Sequence, residues 1–236
     1  MALLRPHRGQ VPRRLIARGS LAAVLALVPL VGLPVGGCNI VAPIAYAIEG
    51  PGMIDAAFTL EKTRTAILVD DQRTILPRTS LRVELGEAIA TRLLDEKAVP
   101  EVVSTRDVIA YVRTNERSGK RLSMEAVAKG LKVDQLIFVE VAQFSLVDEN
   151  GSPRPTSSAF VRVLDIDGKM RAFPSPEETE GREVQAQLRE ISTDLLRTPS
   201  GRRGVEDQLA DRLGRQISRL FYEHERVDLG ENLGPR

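Results

Sequence analysis

Gln135-Leu136-Ile137-Phe138-Val139-Glu140-Val141-Ala142-Gln143-Phe144-Ser145-Leu146 is the stretch that decides the fold. Side chains alternate between the two faces of a strand. On that count Leu136, Phe138, Ala142, Phe144 and Leu146 share one face, and Ile137, Val139 and Val141 share the other. Both faces are apolar where the segment begins, so that part must be covered from both sides. A strand of this kind belongs in the middle of a sheet, and the rest of the chain has to supply its neighbours and its cover.

Upstream, Thr65 to Val69 is a short, β-branched apolar run closed by Asp70-Asp71, the pattern of a buried strand. Leu81, Leu85, Ala88, Ile89 and Leu93 then recur at helical spacing, with Ser80 placed to cap the helix and Pro100 soon after its expected end near Lys97. Val102-Val103 predicts a second short strand. Ser104 or Thr105 opens a helix carrying Val108, Ile109 and Val112, and residues 115–121 form a charged loop. Ser123 opens a third helix with Val127, Ala128 and Leu131 inward.

Downstream, Glu149-Asn150-Gly151 and the nearby prolines predict a turn. Ala159 to Ile166 is the next strand, with Asp167-Gly168 turning into Lys169–Phe173. Glu183 to Ile191 alternates Val184, Ala186 and Leu188 with polar residues, as a strand with one wet face does. Pro199-Ser200-Gly201 reads as a break. Val205, Leu209, Leu213, Ile217, Leu220 and Phe221 form the stripe of a long last helix.

The order of elements predicts an α/β (α+β) domain: a mixed sheet of about five or six strands with helices packed against it, a crossover unit first and an antiparallel meander second. The domain is expected over residues 63–227, with a tether over 38–62 and a disordered polar, Gly-rich tail over 228–236. Trp is absent and aromatic residues are few, so the core must be mostly aliphatic.

The first 37 residues read as a secretory signal peptide. Arg5, Arg8, Arg13, Arg14 and Arg18 supply positive charge and no acid precedes Glu49. Leu21 to Leu33 is apolar but interrupted by Pro29 and Gly32, which makes it short for a membrane span of ~20 residues. Val35-Gly36-Gly37-Cys38 resembles the lipobox of bacterial lipoproteins. That resemblance implies cleavage between Gly37 and Cys38, a diacylglyceryl (palmitate-type) thioether on the Cys38 sulfur, and a domain held to a membrane of the cell envelope, facing the periplasm or the exterior. The chain has one cysteine, so no internal disulfide competes for it. Loss of the signal removes five of 33 basic residues and none of the 32 acids, leaving a mature chain of net charge about −4. A mildly acidic domain argues against nucleic acid as a partner and against a polybasic grip on anionic lipid.

Val102-Val103-Ser104-Thr105-Arg106, followed by Gly130-Leu131-Lys132-Val133-Asp134-Gln135-Leu136-Ile137-Phe138-Val139-Glu140-Val141, is similar to the envelope lipoproteins of the curli-secretion and penicillin-binding-protein-activator group, whose layout the amino-terminal domain of TolB shares. The resemblance spans Thr65 to Leu146. It implies a binding and assembly protein without catalytic residues, acting on another envelope protein. The amphipathic hairpins of a secretion pore are missing from this chain, so pore formation is not implied.

Chemistry-bearing groups are sparse. His7 lies in the signal, which leaves His224, near the end of the last helix, where an imidazole suits the helix dipole better than a catalytic triad. Without His or Cys clusters, only carboxylates could hold a metal. Asp70-Asp71 is the candidate: Ile67-Leu68-Val69-Asp70-Asp71 resembles the first strand of a response-regulator receiver domain, and strand ends are natural ligand sites. The later phosphoacceptor Asp and Lys of a receiver are absent. The expectation is therefore a non-enzymatic protein without cofactor. The alternative is a secreted small-ligand or divalent-cation binding domain using Asp70 and Asp71.

Overall fold

A computed structural model describes residues 52–116, 121–166, 168, 170–189 and 191–226. The signal, Cys38, most of the expected tether and the tail lie outside these residues. Strands are β1 (Met53–Ile54), β2 (Arg64–Asp70), β3 (Glu101–Val102), β4 (Gln135–Val147), β5 (Pro153–Asp165), β6 (Met170–Phe173), β7 (Arg182–Gln187) and β8 (His224–Glu225). Helices are α1 (Ser80–Asp95), α2 (Thr105–Asn115), α3 (Met124–Leu131), α4 (Thr193–Arg197) and α5 (Pro199–Ser218), the last followed by a 3-10 turn over Arg219–Phe221.

The main sheet is mixed, six-stranded and ordered β3-β2-β4-β5-β6, with β7 also on β5. β2 runs parallel to β3 and β4, and β4 runs antiparallel to β5. The expected meander is modified: β6 pairs with β5 at Val163–Asp165 and β7 pairs with it at Thr156–Val161, so the two share one flank end to end.

β4 is central and covered on both faces at its start, as its composition demands. Ile137, Val139 and Val141 pack with Ile67 and Val69 beneath α1 and α5, which contribute Leu81, Leu85, Ile89, Leu93, Leu213 and Ile217. Leu136 and Phe138 pack with Ala66 and Leu68 beneath α2 and α3, which contribute Val108, Val127 and Ala128. Helices α1 and α5 touch closely at Gly214, where a Cβ would stand 2.8 Å from that of Ala88. α3 stops at Lys132, whose φ of 54° turns the chain out of the helix and into β4.

Strict alternation in β4 fails after Val141. The register of β4 on β5 shifts between Val141 and Gln143. A bulge of this sort adds one residue and reverses the facing of everything beyond it. Phe144 therefore packs with Ile137 and Val139, not with Leu136 and Phe138 as expected.

Three boundaries also differ from expectation. β5 begins at Pro153, so Pro153 and Pro155 lie in a strand. Pro155 faces the β7 side just past the end of that strand at Gln187, so its missing N–H interrupts no bond of the ladder, while its carbonyl accepts from Leu188 N–H. β7 ends at Gln187, short of Ile191. Pro199-Ser200-Gly201 starts α5 instead of breaking the chain: Thr198 caps it through Gly201 N–H, and proline costs nothing at the first helical position. Arg202 and Arg203 lie inside that helix.

The expected tether is shorter than residues 38–62. Met53–Ile54 pairs with Glu225–His224, Phe58 N–H donates to the Leu220 carbonyl, and Leu60 is buried. Residues 53–62 are thus part of the domain, because Phe58 and Leu60 supply apolar area that closes the open end of α5.

Candidate functional site

Asp70 ends β2 on the face of Ala66 and Leu68, beside Glu140 of β4. Its Oδ2 is buried without a hydrogen-bond partner among the described residues, and the nearest cation is Arg121, 3.9 Å away. Burial pushes the Asp70 carboxyl above the usual carboxylate range. Arg121 and Arg82 oppose that shift, and Glu140 and Glu116 add to it. Arg82 is not free to answer Asp70 fully, since its Nε and Nη2 both donate to the Val69 carbonyl. Glu140 is tied to Arg162 at 2.8 Å, and the Arg162 guanidinium lies 5.4 Å from the centre of the Phe138 ring.

Asp71 does something else. Its Oδ1 accepts from Ile75 N–H at 2.7 Å and its Oδ2 from Leu76 N–H at 3.2 Å. These bonds order the loop that leaves β2 and set Leu76 into the core. The adjacent acids are thus employed separately, Asp70 beside Arg121 and Asp71 in a loop. Among the described residues no group of three or more His, Cys, Asp or Glu side chains could hold a metal. His224 sits in β8, beyond the last helix; its Nδ1 lies 3.2 Å from the Tyr222 carbonyl.

A second site was not anticipated from the sequence. A groove of about 510 Å³ lies beside the end of β4, lined by Ile75, Pro77, Phe144, Leu146, Val147 and Leu196, with Arg202 and Glu206 at one side. Val147 and neighbouring Leu195 are among the large apolar residues that the domain leaves exposed. Glu206 is paired with Arg78 at 2.8 Å, whereas Arg202 donates to the neutral Leu196 carbonyl. The groove exists because β2 stops beside Glu140 while β4 runs on to Val147. The only sequence signal was the mismatch in length between two neighbouring apolar strands.

No family model matches the chain, and no curated protein matches it. Its chain path is similar to those of several solved structures. The hypothetical protein CT253 from Chlamydia trachomatis is 20% identical over 66% of this chain and 94% of its own, with a TM-score of 0.41. Lipoprotein GNA1162 from Neisseria meningitidis is 14% identical over 63% and 98%, with a TM-score of 0.37. The LpoB C-terminal domain from Escherichia coli is 10% identical over 63% and 94%, with a TM-score of 0.32. A protein described as a lipoprotein is among these solved structures of similar chain path.

Proposed function

We propose that this chain is an envelope lipoprotein, anchored by lipid on Cys38, that binds another envelope protein and assists its assembly or organisation without catalysing a reaction. The observation that carries the reading is the order of the sequence: a basic start, an interrupted apolar run and Val35-Gly36-Gly37-Cys38 ahead of the folded domain. No helix among the described residues is long and apolar enough to cross a membrane, so attachment would rest on lipid. Two acyl chains suffice for this, each buried CH₂ contributing ~0.8 kcal/mol. The apolar groove supports a binding role.

The test is fatty-acid labelling of the native chain and of Cys38→Ala. The native chain should take label and sediment with membranes. The variant should take none and remain as precursor or soluble protein. Label that persists in Cys38→Ala would sink the anchor. Crosslinked pulldown of the lipidated chain from membranes then tests whether an envelope protein is its partner.

A further inference from the structure

We infer that Asn150 is a site of spontaneous, irreversible modification, losing its side-chain amide through a cyclic imide formed with the Gly151 nitrogen, and that Asp148 slows this by holding the turn closed. The asparagines among the described residues are Asn115 and Asn150. Asn115 is followed by a glutamate, and its Nδ2 donates to the Tyr111 carbonyl. Asn150 is exposed at the tip joining β4 to β5, and the residue after it is Gly151, whose nitrogen no side chain of its own shields. The reaction needs water and no other reactant. Hydroxide takes the Gly151 amide proton, and the nitrogen attacks Asn150 Cγ. The Cγ–Nδ2 bond breaks as ammonia leaves with a proton from water. Water then opens the ring at either carbonyl. The product is a carboxylate on an ordinary main chain, or a main chain rerouted through the side-chain carbons.

The turn holds the reacting atoms apart. Gly151 N–H donates to the Asp148 carbonyl at 3.0 Å, the bond that closes a β-turn over Asp148–Gly151. Among the described residues positive φ outside glycine occurs at Thr74, Lys97 and Lys132, so Glu149 and Asn150 have negative φ. A bonded turn of that kind is type I, with ψ of about 0° at its third residue, here Asn150. Ring closure requires rotation about the Asn150 Cα–C bond until the Gly151 nitrogen eclipses Cβ. That rotation breaks the bond from Gly151 to Asp148. The same bond occupies the proton that must leave.

Asp148 fixes this arrangement. Its Oδ1 accepts from Asn150 N–H and from Ser152 N–H, both at 2.9 Å, and its own N–H donates to the Ser152 carbonyl at 2.9 Å. The carboxylates of Asp148 and Glu149 also stand close before Gly151, and like charge disfavours an amide anion there. Modification therefore waits on local opening of the hairpin tip, an exposed polar turn. Its consequence is one-way. A further carboxylate joins those of Asp148 and Glu149, and the rerouted main chain is longer by a methylene than the turn accommodates. Val147, which pairs with Pro153 next to the turn, lines the groove, so an altered tip loosens one wall of it.

Peptide mass spectrometry tests this by following conversion of the Asn150 amide to acid in the full chain as purified, at mildly alkaline pH. The same chain unfolded in guanidinium chloride is the comparator. Conversion is expected in the unfolded chain and should be slower by about tenfold or more in the folded one. Asp148→Ala should bring the folded rate close to the unfolded one. Asp148→Asn, which keeps an acceptor oxygen without the charge, should stay near the native rate. Circular dichroism of both variants separates opening of the tip from loss of the fold. No conversion in the unfolded chain overturns the site. Equal rates in the folded and unfolded chains overturn its protection by the turn. An Asp148→Ala rate equal to the native one overturns the role of Asp148, and so does an Asp148→Asn rate equal to that of Asp148→Ala, because charge and not hydrogen bonding would then be the guard. The readout is independent of the lipid anchor and of any partner.

Discussion

The ring of Phe58 lies 5.4 Å from that of Phe173, with the planes tilted by 33°, and Phe173 in turn meets Phe221 edge-on at 6.2 Å. The segment before β2 is thereby locked to the end of the last helix. A chain beginning at Lys62 loses Phe58, the buried Leu60 and the β1–β8 pair. It should be less stable than one beginning at Gly52 by at least about 3 kcal/mol, since a single buried leucine cut to alanine costs ~2–5 kcal/mol. Urea denaturation of the two chains reads the difference; coincident midpoints would show that the segment only lies against the domain.

Phe138 stands where β4 is covered from both sides, and it is 7% exposed. Phe138→Ala should cost ~3–5 kcal/mol. Part of that loss would come through Arg162, whose guanidinium rests on the ring. A change under about 1 kcal/mol, the scale of surface substitutions, would contradict the packing of Phe138 between Leu68 and the helices above it.

Asp70 makes a pH prediction whose sign follows from its raised carboxyl. The folded state holds this proton more tightly than the unfolded state does. Its contribution is therefore most favourable below the ordinary value of 3.8 and is lost as pH rises from there through the raised folded value. Asp70→Asn should raise the melting temperature at neutral pH relative to the native chain, and the advantage should vanish in acid. An advantage that grows on acidification would mean that Arg121 and Arg82, not burial, dominate the site.

Magnesium and calcium separate a ligand-binding reading of Asp70 and Asp71 from a structural one. A cation held between them would stabilise the fold by ~2.7 kcal/mol at a hundredfold excess over its dissociation constant. Both Asp71 oxygens already accept main-chain N–H groups. Neither ion should therefore move the melting point, and Asp71→Ala should cost ~1 kcal/mol, as loss of a side-chain cap on backbone amides does. A saturable rise of several degrees, lost in Asp70→Asn or Asp71→Asn, would reverse the assignment.

How far each feature was legible depended on whether its cause is local. The two apolar faces at the start of β4, the helical stripes at Leu81–Leu93 and Val205–Ile217, and the strand closed by Asp70 are local patterns, and the structure has each of them. The bulge after Val141 is set by pairing with β5 and leaves no mark in the alternation itself. Prolines are ambiguous in two ways. Pro199 has the sequence pattern of a break because its partner in capping, Thr198, is an ordinary residue outside a cap. Pro153 and Pro155 suggested a turn, although one edge of a strand can do without their donors. The groove depends on where β2 stops relative to β4, a relation between segments 65 residues or more apart, and only their pairing reveals it.

The bulge in β4 also sets how the chain tolerates changes in length. Before Ala142 odd-numbered positions face α1 and α5; after it even-numbered ones do, as Ile137 and Phe144 show. Two reading parities are thus spliced within one strand. Deleting Ala142 would remove the extra residue and restore strict alternation, with Gln143 still facing away from the helices and Phe144 still beneath them. Deleting Ala142 and Gln143 together would instead drive Phe144 to the opposite face of the sheet. Length variation at this point should therefore come as a single residue, and in the rest of the strand in pairs, a constraint that a count of buried side chains does not reveal.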